Sequence, residues 1–417
     1  MNHEAASIRV RLRAELSAFR RSVEDAGIGD AEATVVCIPR HGYATTRVNM
    51  ESLYEATSAR FVVFYVDVAS PPVVRDYLRA LAREKQNFFC LRVDEPVSRQ
   101  IARLLVLDLV ATPYTLFVDN NMLFEPGWLS RMIRTMEADH CDVVSPLILM
   151  HGGAVHFSGS KVLQVSASRV KRKQTTKECP LGADVAGVHP EKLEIDFAES
   201  HCCLMRTQAF KDRIDEVFLE GMHNSHTLAV ASYLMKERLG CRMLIEPDAR
   251  VSILPIAFGY DIPWLLGKYN DLDCFNNSYW LHESIVGTSP SSTLRNLKWH
   301  RKHLLYALLS MMQGGHLDRD DLLAPQEVPP GVRGYDKPLP RDVEQRIEET
   351  VLPLVERRYP RYRRHLMAWL REIDEIIGDI DLKALELATG RRLPWYHRLW
   401  RRLKEMPGRA ARRASQA

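Results

Sequence analysis

From Ala33 onward the chain alternates between two kinds of segment. "ATVVCIP", ending at Pro39, is a short run rich in β-branched residues, and "RVNMESLYEAT" then carries apolar residues at helical spacing (Val48, Leu53, Ala56). "RFVVFYVDVASP" is a second apolar run closed by Asp67, "PVVRDYLRALARE" is helical, and "NFFCLRVDE" is a third strand-like run. "SRQIARLLVLDLVA" reads as helix and "YTLFVDNN" as a fourth strand. Strands that alternate with helices predict an α/β domain with a parallel sheet covered on both faces. In such sheets ligands bind beyond the carboxyl ends of the strands. The polar residues at those ends are the first candidates for function: Arg40 and His41, Asp67, Asp94 and Asp119.

The alternation continues downstream. "GWLSRMIRTMEADH" predicts a helix and "CDVVSPLIL" a strand, while His151 to about Pro190 is rich in Gly, Ser and Lys, weakly periodic, and reads as an excursion or flap. "EIDFAESHCCLMRTQAF" returns to strand character, "SHTLAVASYLMKERLG" predicts an amphipathic helix with Gly240 as its stop, and "CRMLIEPDARVSIL" predicts another strand. The chain has 417 residues, enough for two or three domains or for one large domain with an appendage. The expected division is an N-terminal helical segment (1–32), an α/β domain (33–260), a helical and aromatic extension (261–323), a Pro/Gly-rich linker (324–340), a helical region (341–395) and a basic tail (396–417).

Composition excludes several classes. With 46% apolar and 26% charged residues, the chain resembles an ordinary soluble globular protein. A net charge of +4 is too small to imply a partner, so any basic surface must come from local clustering. The opening "MNHEAASIRVRLRAELSAFRRS" lacks the apolar core of a signal peptide and reads as a polar amphipathic helix. The longest apolar stretches are broken by Arg103 and Asp108 in one case and by Arg250, Asp261 and prolines in the other, so neither reads as a membrane span. The eight cysteines include no C-x-x-C pair. Free thiols in a reducing, cytoplasmic compartment are expected, with Cys202–Cys203 serving as packing.

Several motifs resemble those of family 2 glycosyltransferases, which share the GT-A nucleotide-sugar fold. "VVCIPRHGYATTRVNMESLYEAT" resembles their first strand and helix, and "VVFYVDVASP" their second strand. "LFVDNNMLFEPGWL" resembles the strand that carries a metal-binding D-x-D before a P-G-W-L turn. "FAESHCCLMRTQAF" is similar to an acceptor-side strand with an E-G-H-C-x-L-x-R-R run, and "MHNSHTLAVASYLMKERLGCRMLIEPDARVSI" to an E-H-x-D helix with its E-P strand. The resemblance covers about residues 33–285 and rests on order and spacing more than on any one motif. It implies a Rossmann-like, mostly parallel mixed sheet flanked by helices, here with a C-terminal helical extension. It also implies sugar transfer from a nucleoside diphosphate donor to an acceptor hydroxyl by inverting displacement.

The departing nucleoside diphosphate needs its charge stabilised, commonly by Mg²⁺ or Mn²⁺ on hard oxygen ligands. Asp119 matches the first Asp of the motif, but Asn121 stands where the second should be, and an amide oxygen adds no charge. The alternative is an Asx-capped turn. The resemblance implies that Asp67 binds the base. Its plain alternative is a helix cap, a role Ser70 fills better. Pro39, Arg40 and His41 fall where ribose or phosphate would lie, though a solvated loop accounts for the cations equally well. Arg99 matches the Arg of an R-N pair whose Asn is replaced by Gln100. It reads either as a phosphate contact or as an exposed helical arginine.

The acceptor hydroxyl needs a general base. In "HNSH", His223 replaces the expected Glu and His226 the expected Asp. A histidine base suits neutral pH, the pair spaced three apart suits a metal, and loss of the acid suits a domain that binds without turnover. Glu220 and Glu199 are fallback carboxylates, with Glu199 expected to face the acceptor. H-E-x-x-H is absent, and "HGGAVHFSGS" lacks the G-K-[ST] of a P-loop. The tail "RRLPWYHRLWRRLKEMPGRAARR" reads as a surface for an anionic membrane, suiting a glycan or lipid-linked acceptor at the inner face of the plasma membrane, or as a solvated helix with a disordered end. No nucleic-acid recognition motif accompanies it. A binding or scaffold module and a nucleotidyltransferase are the rival functions.

Overall fold

The computed structural model describes residues 3–254, except 40–44, 69, 71, 95–96, 98, 151, 167–168, 174, 189 and 219–226, together with 345 and 349. Arg40, His41, Glu220, His223 and His226 therefore lie outside the described residues, as do the expected extension, linker and basic tail and nearly all of 341–395.

Two helices come first, α1 (His3–Arg11) and α2 (Arg13–Asp25), so the single leading helix expected is interrupted at Leu12. Then follow β1 (Ala33–Ile38), α3 (Thr46–Ala56), β2 (Phe61–Val68), α4 (Pro72–Glu84), β3 (Phe88–Val93), α5 (Arg99–Val106) and β4 (Tyr114–Asp119). Every residue of β1, β2 and β4 is buried, which is why they read as unbroken apolar runs instead of alternating ones. Each Val, Ile, Leu or Phe buried in this way contributes roughly 1.5–3 kcal/mol. Phe19 of α2 meets the ring of Phe64 edge-on at 5.2 Å and sits 6.5 Å from Phe89, which fastens the leading segment to the sheet.

After β4 come β5 (Met122–Phe124), α6 (Trp128–Ala138), β6 (Val143–Met150), β7 (Val155–Phe157), β8 (Lys161–Ser166), β9 (Arg169–Lys173), β10 (Leu193–Glu194) and β11 (Cys202–Arg206). Short helices α7 (Thr207–Phe210) and α8 (Ile214–Val217), then α9 (Thr227–Leu239) and β12 (Met243–Ile253), complete the described chain. The main sheet runs β10-β12-β6-β11-β4-β1-β2-β3, with β5 on β12 and β7 on β6. Strands β3, β2, β1, β4, β6 and β12 all point one way, while β11 and β10 run against them. This is the mixed, mostly parallel, Rossmann-like GT-A arrangement that the motifs imply. From β1 the chain builds outward through β2 and β3, then returns to place β4 on the other side of β1. The crevice between the ends of β1 and β4 is thus a topological switch point, where such sheets bind ligands.

The 151–190 excursion contains β7, the β8–β9 hairpin and a small core in which Val155 and Cys179 pack on Leu147 and Leu149. One local expectation is corrected. Helix α9 is not amphipathic along its length. Residues 228–232 are buried on every side, and exposure is confined to its last turn around Glu237 and Arg238. The "EPDA" segment forms a bulge in β12 between Glu246 and Arg250. Glu246 holds it, accepting bonds from Thr135 Oγ1 and from the Asp248 amide (3.0 Å), with Lys192 Nζ at 3.3 Å. Among the described residues no helix is long and apolar enough to cross a membrane.

The P-G-W turn joins β5 to α6. Gly127 takes φ 76°, a conformation that disfavours a side chain, and its amide bonds to Ala56 O at 3.0 Å. Trp128 is fully buried, stacks on Phe124 at 4.4 Å, and donates its indole N–H to Thr57 Oγ1 at 3.0 Å. Trp128→Ala is expected to destabilise the fold by about 3–5 kcal/mol, read as a lowered urea midpoint in chemical denaturation.

Candidate active site

The switch point brings together Pro39, Asp119, Asn120 and Asn121 with the first turn of α5. Ile38 is in register with Asp119 across the β1–β4 pair, and Pro39 is buried beside it. Asp119 is fully buried, and a lone carboxylate there would carry a large desolvation cost. Two guanidinium groups meet it. Arg99 Nη1 lies 3.0 and 3.2 Å from the two carboxylate oxygens, and Arg103 Nη2 lies 3.5 Å from Oδ1. Arg103 also lies over the Phe117 ring, its Cζ 5.8 Å from the centroid. Arg99 is only 7% exposed, which overturns its reading as an exposed helical arginine. Arg103, four residues on and one turn along α5, appeared in the sequence only as an interruption of an apolar run. Its signal was a second Arg at i+4 on a helix leading into the aspartate strand.

The two asparagines divide the remaining work. Asn120 donates from Nδ2 to Thr46 Oγ1 (3.2 Å), tying the strand end to the start of α3. Asn121 is 4% exposed, and its Oδ1 is buried with no hydrogen-bond partner among the described residues. A buried acceptor without a donor is costly unless something else supplies positive charge. Gln100, which stands for the family's Asn, is equally buried, and neither of its side-chain polar atoms has a partner among the described residues.

Asp67 is the penultimate residue of β2 and is not free of local bonding, as Ser70 had been expected to leave it. Its Oδ1 accepts the Ser70 amide (3.2 Å), and its Oδ2 receives Arg92 Nη1 at 2.7 Å. Arg92 also donates to Ser70 O and Oγ (3.0 and 2.9 Å) and to Asp94 (2.5 Å). The partner strand β3 therefore orients Asp67, a role for Arg92 that the sequence did not reveal. A carboxylate offers about four acceptor positions, so this bonding leaves Asp67 able to accept from a base.

On the other side of β4, the run "ESHCC" leads into antiparallel β11. The Asp119 amide donates to His201 O at 2.9 Å. Glu199 is 3% exposed, and its Oε2 accepts from the His201 amide (2.6 Å) and faces His201 Nδ1 (2.5 Å). Burial opposes the charge on Glu199, but the imidazoles of His201 and His156 outweigh it and hold the carboxyl well below its ordinary value. Neither His201 nor His156 was singled out as a site residue from the sequence.

Cys202 and Cys203 face the core, as expected of packing residues. Burial pushes both thiols up, Cys203 to about 12, and burial with the nearby Asp119 charge raises Cys37 as well. All seven described cysteines are free.

Residues 35–214 match the family model for glycosyl transferase family 2. The match runs from β1 to the start of α8. No curated protein matches the chain. Among solved structures, it is similar to a "Crystal structure of GalNAc-T7 with UDP, GalNAc and Mn2+", at 14% identity and a TM-score of 0.42. That likeness covers 58% of this chain and 48% of the other, so the chain spans about half the length of that protein.

Two outcomes follow from the buried chemistry. Arg99→Met removes the bidentate partner of a buried carboxylate and is expected to cost roughly 3–5 kcal/mol, with Arg99→Met/Asp119→Asn recovering part of the loss in a denaturation double-mutant cycle. Because the thiolate is the reactive form, Cys37, Cys202 and Cys203 are expected to resist iodoacetamide at pH 8 in the native protein and to label on denaturation, as mapped by peptide mass spectrometry.

Proposed function

We propose that the chain transfers a sugar from a nucleoside diphosphate donor to an acceptor hydroxyl, with inversion at the sugar carbon. The observation that carries the donor site is the Asn121 Oδ1 beside Asp119, buried without a partner among the described residues, at the switch point of a sheet that matches the family 2 model. Asp67, held in place by Arg92, accepts from the ring N–H of the base. Pro39 lies at the end of β1 where ribose and diphosphate would sit, Arg40 and His41 follow it in the sequence, and Arg99 and Arg103 hold the Asp119 carboxylate.

A divalent cation, Mg²⁺ or Mn²⁺, fits this donor set when it arrives with the diphosphate. Asn121 Oδ1 and Asp119 would hold it, and bound there it neutralises charge on the departing phosphate. Asp119 is already shared with two arginines, so the diphosphate must supply most of the charge that holds the ion. In the transfer, the bond from the sugar carbon to the diphosphate oxygen breaks and a bond to the acceptor oxygen forms. The hydroxyl proton passes to a base, for which His226 is the sequence's candidate, with His223 and Glu199 as the others. The nucleoside diphosphate leaves with the bonding electrons.

A glycan or lipid-linked acceptor, as in cell-surface polysaccharide assembly, suits the basic aromatic tail. On this reading the enzyme is cytoplasmic and touches the inner face of the plasma membrane. The second reading is a domain that binds without turnover. It draws on Asn121 in place of a carboxylate and on "HNSH", which lacks an acid.

A thermal-shift screen of UDP-, GDP- and dTDP-sugars with and without Mn²⁺ separates the two. The expected result is a nucleotide-specific stabilisation that grows with Mn²⁺, is lost in Asp67→Ala, loses its metal dependence in Asn121→Ala, and strengthens in Asn121→Asp. Release of nucleoside diphosphate accompanies it. Binding without release selects the non-catalytic reading, release of pyrophosphate selects a nucleotidyltransferase, and no binding by any donor removes the proposal.

A further inference from the structure

We propose that His156, Glu199 and His201 form a metal site of their own, built for a borderline dication of the zinc class and separate from the cation that would accompany the donor. The ligand-capable atoms of these three residues all lie within 4.8 Å of one another. His201 Nδ1 is 2.5 Å from Glu199 Oε2, and His156 Nε2 is 3.9 Å from Glu199 Oε1. The two imidazole rings stand perpendicular, with centroids 5.3 Å apart, so they converge on the carboxylate from different directions.

Three features favour a metal over a plain hydrogen-bonded pair. The first is charge. Glu199 is buried, and its ion-pair partners among the described residues are both histidines, with no Lys or Arg. A buried carboxylate requires a compensating cation; a protonated imidazole is one source, and a dication held by both neutral rings and the carboxylate is the other. The second is reach. A bond between His201 and Glu199 accounts for the short contact, but His156 stands too far away for an ordinary hydrogen bond. Its separation from Glu199 suits an ion between them. The third is the ligand set. Two imidazoles and one carboxylate are the protein ligands of a catalytic zinc with an open fourth position, and the same set binds Fe²⁺. Zinc bonds of about 2.0–2.2 Å place tetrahedral ligands about 3.3 Å apart. Assembly therefore requires the short pair to open and the wide pair to close by roughly an ångström, a side-chain adjustment.

The scaffold that brings the three together is rigid. His156 lies on β7, which pairs with β6 on either side of it. The segment carrying Glu199 and His201 leads into β11, where Cys202 is in register with Val118. It is fastened to α9 by the Ala198 amide on Ser232 Oγ (2.9 Å) and the Ala229 amide on Ser200 Oγ (3.4 Å). The glycine-rich excursion thus delivers a histidine to an acidic loop on the main sheet. None of the three residues belongs to the donor set around Asn121, so the proposal stands whether or not sugar transfer does.

The test uses the full untagged chain, stripped with chelator and titrated with Zn²⁺ and with Co²⁺ by calorimetry and visible absorption, without substrate. The expected result is one tight site per chain and an intense Co²⁺ spectrum of low coordination number. Affinity should fall at least about 10-fold, the loss that even outer-shell partners of metal ligands cause, in His156→Ala, His201→Ala and Glu199→Gln, and stay unchanged in Asn121→Ala. His156 is partly exposed, so His156→Ala is the variant expected to fold normally, and a matching thermal midpoint in chelator checks this. The proposal is overturned if the stripped chain binds no Zn²⁺, if a correctly folded His156→Ala binds it as wild type does, or if His223→Ala/His226→Ala abolishes the site instead.

Discussion

The active end of the sheet depends on a buried carboxylate clamped by arginine. Asp119 sits at the end of a central strand with no exposure to water, so its charge must be balanced from within. Arg99, the first residue of α5, meets it through both oxygens, and Arg103 follows one turn later over the Phe117 ring. The pair therefore does more than neutralise charge. It fixes where the β3–β4 crossover helix begins beneath the strand ends, and so sets the wall of the crevice between β1 and β4. Asn120 closes the other side by bonding to the start of α3. Asn121 Oδ1, the third member of the triplet, is buried with no hydrogen-bond partner among the described residues.

The opposite side of the site is assembled from segments far apart in the chain. Glu199 and His201 come from the approach to β11, and His156 comes from an excursion that returns to the sheet edge through β7. The backbone bond from the Asp119 amide to His201 O couples the two halves, joining the β1–β4 crevice to the His–Glu cluster across the β4–β11 pair. The bulge at Glu246 belongs to the same frame, since β12 also pairs with β5 directly after Asn121.

Much of this was legible before the fold was known. The first four strands and their helices could be read because parallel strands buried on both faces leave apolar runs, unbroken in β1, β2 and β4. Asp67 and Asp119 could be placed because ligands collect at the ends of such strands. The short strands β5, β7 and β10 could not be read, since two or three residues carry no periodicity. Arg92, Arg103, His156 and His201 were missed for a different reason. Arg92, Arg103 and His156 act through partners adjacent only after folding, and a charged residue in an apolar stretch looks the same from the sequence whether it faces water or a buried aspartate; His201 lies two residues from its partner Glu199, but nothing in the sequence marks that pair as buried.

The sequence by itself determined the layers of the domain, their order, and the positions where polar residues interrupt apolar strands. It did so because burial on both faces of a sheet leaves a pattern in residue type. Only the tertiary structure decided how the polar residues divide their roles: Asp119 turned to arginine, Asn120 to a helix, Asn121 Oδ1 buried without a partner among the described residues, and Glu199 set between two histidines. These choices rest on pairing across strands and on the exclusion of water, and neither is written in the spacing of residues along the chain.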